Sequence, residues 1–126
     1  MNNNCLLCGS SKTQSYYSNE KASYLCCSRC DLVFLPKRFH LNNTDEKSRY
    51  DLHQNDSNDV GYRQFLSTIF NPVEKFLVPN SKGLDFGCGP GPTLSLMFKD
   101  KGYQVDLFDK YYANNEHIFN NKYDFI

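Results

Sequence analysis

Gly83-Leu84-Asp85-Phe86-Gly87-Cys88-Gly89-Pro90-Gly91-Pro92 is the stretch on which the reading of this chain turns. A short apolar run ends at Phe86 and meets a turn with glycine at 87, 89 and 91. Beyond it Leu94, Met97 and Phe98 recur at helical spacing, Lys99 and Lys101 occupy the last turn, and Gly102 stands where the helix stops. Tyr103-Gln104-Val105-Asp106-Leu107-Phe108 then reads as a second strand ending at Asp109. Strand, glycine turn, helix and strand make the opening unit of a doubly wound α/β sheet.

The glycines have a physical purpose in such a unit. A ligand lying against the backbone at the C-terminal end of the first strand needs residues without side chains there. An acidic residue at the end of the second strand, about twenty residues on, is placed to accept hydrogen bonds from two ribose hydroxyls. The dinucleotide pattern Gly-x-Gly-x-x-Gly is not met, because counting from Gly87 puts Pro92 where the third glycine belongs. Pro90 and Pro92 also remove two amide donors that would cradle a pyrophosphate. These features argue against NAD and for a cofactor without phosphate, whose cationic amino-acid tail Asp85 would face directly or through water.

Upstream, Cys5 and Cys8 form one Cys-x2-Cys pair and Cys27 and Cys30 a second, inside the spacing expected of a four-cysteine zinc site. Two residues between cysteines let both sulfurs of a tight turn face one metal, and Gly9 eases the first turn. A four-sulfur site is closed, so zinc is read as structural, supplying folding free energy to a segment too short for its own core. Tyr16-Tyr17 and Tyr24-Leu25 suit short strands, completing a zinc ribbon. Tyr16, Tyr17, Tyr24, Phe34 and Phe39 are expected to form its small core. Cys26 is read as a spare thiol, since only Cys27 keeps the two-residue gap to Cys30.

Between these segments Tyr62, Phe65, Leu66, Ile69 and Phe70 form an apolar helical stripe, with Asp59 as N-cap and Pro72 bounding or kinking its far end. A shorter helix is expected from Thr44, with Asp45 and Glu46 in its first turn. Fourteen basic residues balance fourteen acidic ones among 126, so no overall field favours nucleic acid or an anionic membrane. No apolar run approaches a membrane span, and the N-terminus lacks the features of a signal peptide, so the chain is read as cytoplasmic. In that reducing setting six cysteines suggest metal before disulfides.

The run from Gly83 to Pro92 resembles motif I of class I S-adenosylmethionine-dependent methyltransferases, and Phe108-Asp109 resembles their acidic motif. The whole chain resembles bacterial methyltransferases with an N-terminal four-cysteine zinc ribbon. The residues carrying that likeness are Cys27-Ser28-Arg29-Cys30-Asp31-Leu32-Val33-Phe34, Arg49-Tyr50-Asp51-Leu52-His53-Gln54-Asn55-Asp56 and Gly61-Tyr62-Arg63-Gln64-Phe65-Leu66. Asp31 departs from the glycine usual after the fourth cysteine. The resemblance implies an α/β protein with a zinc ribbon over 1–38, a helical linker over 39–81 and an incomplete Rossmann-like domain over 82–126 that binds S-adenosylmethionine.

Carried over residue by residue, the resemblance puts Asp85, Gly87, Gly89 and Gly91 around the methionine moiety and Asp109 on the ribose. Cys88, inside the loop, is read as a small residue tolerated near the ligand rather than a nucleophile. The balanced charge favours a small-molecule methyl acceptor over protein or nucleic acid. His53 is a weak catalytic candidate beside Arg49 and Tyr50, against the plainer reading of a helix-face histidine making a local hydrogen bond. Tyr62 and Arg63 are weighed for the methionine carboxylate, with Tyr62 better placed in the apolar stripe. Tyr123-Asp124-Phe125-Ile126 resembles the start of the strand beside the first, where the family continues into further strands and helices. A chain ending there is expected to be inactive alone and to self-associate through an open sheet edge. The competing reading is a zinc-ribbon module for protein or nucleic acid, with a non-catalytic Rossmann remnant.

Overall fold

The computed structural model describes residues 3–53 and 55–126. Met1, Asn2 and Gln54, parts of the N-terminal run and of the linker stretch quoted above, lie outside the described residues. The chain divides into two compact units, Met1–Asp45 and Glu46–Ile126.

In the first unit, β1 (Thr13–Ser18), β2 (Ser23–Cys27) and β3 (Val33–Phe34) form an antiparallel sheet in that order. The β1–β2 register runs from Thr13 opposite Cys27 to Ser18 opposite Ser23, with an irregularity between Ser15 and Tyr17. Its buried centre is Cys5, Cys27 and Phe34, packed by Leu25, Leu32, Cys8 and Cys30. The expected aromatic core is therefore corrected in part: Tyr16 and Tyr17 are 65% and 55% exposed. One small sheet can press a single face onto the cysteine turns, and the bulge at Tyr16 belongs to an edge strand of the sheet.

The helix α1 (Asn43–Asp51) begins one residue before the expected Thr44. Asn42 caps it: its Oδ1 accepts the Asp45 amide at 2.9 Å while its Nδ2 donates to Asp45 Oδ2 at 2.8 Å. The next helix, α2 (Val60–Glu74), is capped by Asp59, whose side chain accepts the Tyr62 amide at 2.9 Å. Pro72 sits inside it, and the helix ends two residues later. Its apolar stripe divides. Phe70 is buried and packs with Met97, Phe98 and Val105, joined by Leu66 and Val73, while Phe65 and Ile69 remain exposed.

The second unit's sheet pairs β4 (Lys82–Phe86) with β5 (Gln104–Phe108) in parallel, from Lys82 opposite Gln104 to Phe86 opposite Phe108. Helix α3 (Thr93–Asp100) connects them and buries Met97 and Phe98. Gly102, at φ +88°, ends α3 in a left-handed turn that returns the Tyr103 amide to the Phe98 carbonyl at 3.1 Å. Phe125 makes a parallel bridge to Gly83 on the other side of β4. Its carbonyl accepts the Leu84 amide at 3.0 Å, and the Asp124 amide donates to the Lys82 carbonyl at 2.7 Å. A Cβ on Gly83 would meet the Phe125 ring at 2.2 Å, so only glycine admits that ring against α3, where it lies 4.9 Å from Phe98. The described architecture is mixed α/β with two small, partial sheets.

Candidate functional site

Cys5, Cys8, Cys27 and Cys30 bring their sulfurs within 4.8 Å of one another, a group able to hold a metal ion. The Cys5–Cys30 and Cys8–Cys27 sulfur pairs are each 3.6 Å apart. A tetrahedron with zinc–sulfur bonds of ~2.3 Å has edges of about 3.8 Å, so the set is compatible with zinc. The two turns are built alike. The Cys5 amide donates to the Ser10 carbonyl and the Gly9 amide to the Cys5 carbonyl; the Cys27 amide donates to Leu32 and the Asp31 amide to Cys27. Gly9 at φ +69° and Asp31 at φ +58° occupy equivalent positions, so Asp31 takes the left-handed conformation for which glycine is suited. Cys26 is outside the four-sulfur group.

The thiols differ electrostatically. The Arg29 amide, donating to Cys27 Sγ at 3.4 Å, holds that thiol down at about 6 despite burial. The Cys8 amide lowers Cys5 likewise. The Leu32 amide favours the Cys30 thiolate, yet burial and the three neighbouring sulfurs outweigh it and push Cys30 up to about 12. Four thiolates so close repel one another, and a dication entering the set displaces the protons that relieve this.

The glycine loop continues from β4. The Gly87 and Cys88 amides both donate to the Phe108 carbonyl, at 2.7 and 3.1 Å, tying the loop to the end of β5. Gly87 and Gly89 have φ of +79° and +68°, and a Cβ on either would meet nothing within 4 Å. Gly91 differs: a Cβ there would lie 2.4 Å from the Asn55 carbonyl oxygen. Its missing side chain makes room for the protein's own linker.

Asp109 is turned to this loop, its Oδ2 accepting the Gly89 amide at 3.0 Å. Its Oδ1 accepts the Tyr111 and Tyr112 amides at 2.7 and 3.2 Å. With two lone pairs per oxygen, Oδ2 keeps one place for a ligand donor while Oδ1 is already filled. The two ribose hydroxyls expected at Asp109 would find one open place on Oδ2 and none on Oδ1. Asp85 is half-buried near the C-terminal end of β4, and its carboxylate has no hydrogen-bond or ion-pair partner among the described residues. Burial, then the negative charge of Asp109, raises its pKa. Burial and the same two carboxylates push the Cys88 thiol up to about 11, so it is a poor nucleophile. Asp85 also borders a largely apolar cavity of 150 Å³ lined by Leu94, Phe98, Phe125 and Ile69.

The remaining sequence candidates lie elsewhere. His53 is exposed, with its ring edge-on to Tyr50 at 5.9 Å. Arg63 is committed to Asp100 at 2.6 Å and to the Ser57 carbonyl at 2.9 Å, and Tyr62 stacks on Phe65. Asn55 is the residue that sequence reasoning misses. In the sequence it reads only as part of the linker, and a backbone contact made 36 positions from Gly91 leaves no local signal.

No helix among the described residues is long and apolar enough to cross a membrane. Comparisons with protein-family profiles, curated proteins and solved structures return no match. Any functional class therefore rests on the site itself.

Proposed function

We propose that the chain binds S-adenosylmethionine at the Gly87–Gly91 loop and serves methyl transfer to a small-molecule acceptor, with a structural zinc at the four cysteines. The observation carrying this reading is a pair of carboxylates, Asp85 and Asp109, flanking two glycines with open space before them and, among the described residues, no cation to balance Asp85. A cofactor bearing a sulfonium and an α-ammonium supplies that charge, and its nucleoside can lie against residues without side chains. A pyrophosphate would meet the same carboxylates unfavourably, which adds to the case against NAD. Methyl transfer needs the acceptor held in line with the sulfonium methyl. The balanced charge supports a small molecule over nucleic acid.

Calorimetry with S-adenosylhomocysteine on zinc-loaded protein tests the reading. Saturable binding is expected, weakened about tenfold or more by Asp109→Ala, the loss associated with a hydrogen bond to a charged group. Binding of NAD with indifference to S-adenosylhomocysteine sinks it.

The exposed Tyr16 and Tyr17, with Leu6 and Leu7 exposed on the first cysteine turn, favour one other reading: a ribbon that docks protein or nucleic acid. Salt-dependent RNA binding lost on replacing Arg29, Lys37 and Arg38 would support it. Both readings expect metal, so zinc content does not separate them.

A further inference from the structure

The loop after β5 is held at both its backbone and its side chains. The Asp109 and Ala113 backbones exchange two hydrogen bonds of 3.1 Å, closing a short ring over residues 109–113. Inside that ring the Tyr111 and Tyr112 amides donate to Asp109 Oδ1. Their side chains reach α1, where the Tyr111 hydroxyl donates to Glu46 and the Tyr112 hydroxyl to Asp51. Each of these carboxylates has a lysine beside it: Lys110 Nζ lies 3.5 Å from Glu46 and Lys47 Nζ lies 2.8 Å from Asp51. The clasp therefore brings little net charge toward Asp109. Lys47 also lies 5.2 Å from the Tyr112 ring centroid, so the helix holds that side chain at both its hydroxyl and its ring.

We propose that Glu46 and Asp51 are positioning residues for the Asp109 carboxylate, acting through Tyr111 and Tyr112. The physical reason is that a carboxylate side chain rotates, and the two amides on Oδ1 select the rotation that presents Oδ2 to Gly89. Those amides stay in place only while the 109–113 ring keeps its shape. The ring contains no apolar anchor buried like those of the core, and its outward-reaching side chains are tied by polar bonds to α1. Releasing the hydroxyls frees the ring to twist and scatters the orientation of Oδ2. The same helix thus sets the geometry of a group more than fifty positions away. The consequence for ligand affinity rests on the cofactor reading above, whereas the positioning itself does not.

Tyr111→Phe and Tyr112→Phe, made singly in the zinc-loaded full chain, remove each hydroxyl while keeping its ring. Glu46→Gln keeps an acceptor for Tyr111, and Glu46→Ala removes it. Two readouts are taken by NMR without ligand: the Asp109 side-chain carboxyl ¹³C shift and amide exchange at residues 111 and 112. The proposal expects a displaced carboxyl signal and exchange about fivefold faster or more in the Phe variants and in Glu46→Ala, with Glu46→Gln close to the parent. A general loss of stability would not move the carboxyl signal of folded protein selectively. Calorimetry with S-adenosylhomocysteine should show a parallel loss of about fivefold. An unmoved carboxyl signal and unchanged exchange in folded Phe variants overturn the proposal. If the parent chain fails to bind S-adenosylhomocysteine while these signals shift, the cofactor reading falls and the positioning role stands.

Discussion

Asp31 shows how a single residue can depart from a pattern without undoing it. Glycine suits the fourth-cysteine turn because the backbone there is left-handed, and Asp31 adopts φ +58° while keeping the amide bond to Cys27. A non-glycine residue in that region costs ~1 kcal/mol, offset in part by the chain entropy glycine would add to the unfolded state. Asp31→Gly should therefore be neutral or stabilise zinc-loaded protein by up to ~1 kcal/mol, and Asp31→Val should destabilise it by ~1–2 kcal/mol, read from thermal melts at fixed zinc. Asp85 carries the second prediction at this scale. Its raised pKa comes from burial first and Asp109 second, and a cationic ligand favours its ionised form. On the cofactor reading, S-adenosylmethionine affinity should weaken as acidification protonates Asp85, and the loss should set in at a higher pH than for an ordinary carboxylate. Asp85→Asn should flatten that dependence in a calorimetric pH series.

Helix α2 illustrates the element scale. Phe70 is 6% exposed against Met97, Phe98 and Val105, while Phe65, about one and a half turns earlier, is 67% exposed. Phe70→Ala should cost ~3–4 kcal/mol in the unfolding of the second unit, and Phe65→Ala less than ~1 kcal/mol, measured by urea denaturation. The helix itself is legible in sequence, because a 3.6-residue period, an Asp at the cap and no early proline all agree. Which half of its stripe is covered is not legible, since periodicity defines a face and says nothing of what packs on it. The same division runs through the site. Strand, glycine turn, helix and Asp109 can be read because each is a local signal. Asn55 against Gly91, the amides on Asp109 Oδ1 and the tyrosine clasp depend on tertiary approach. Four cysteines at ligand spacing are readable for the opposite reason: their chemistry forces the approach.

At the scale of the whole molecule, the two compact units draw on different sources of stability. The Met1–Asp45 unit centres on sulfurs, with Phe34 the buried ring beside them, whereas the Glu46–Ile126 unit has an aromatic core including Phe70, Phe98 and Phe125. Removing metal should unfold the first and spare the second. Under a strong chelator, residues 3–45 should lose their dispersed NMR resonances while those of α2, β4, α3 and β5 persist. Acid should act in the same direction. Cys27 is held at about 6 and Cys30 pushed to about 12, so around neutrality metal entry releases protons and affinity rises with pH. Lowering pH toward Cys27's value of about 6 and below returns protons to the sulfurs and loosens the ion, which competition with a chromophoric chelator would measure. Collapse of both units together on chelation would contradict this division.

The matched hydrogen bonds of the two cysteine turns have a kinetic corollary. Each turn is braced by its own backbone hydrogen bonds, so on meeting an ion either pair of sulfurs can close as a two-toothed claw without waiting for its twin. An incoming ion can be seized by one claw and then closed upon by its twin. Departure can reverse those steps, passing the ion to an acceptor while half the grip remains and no bare cation is set loose.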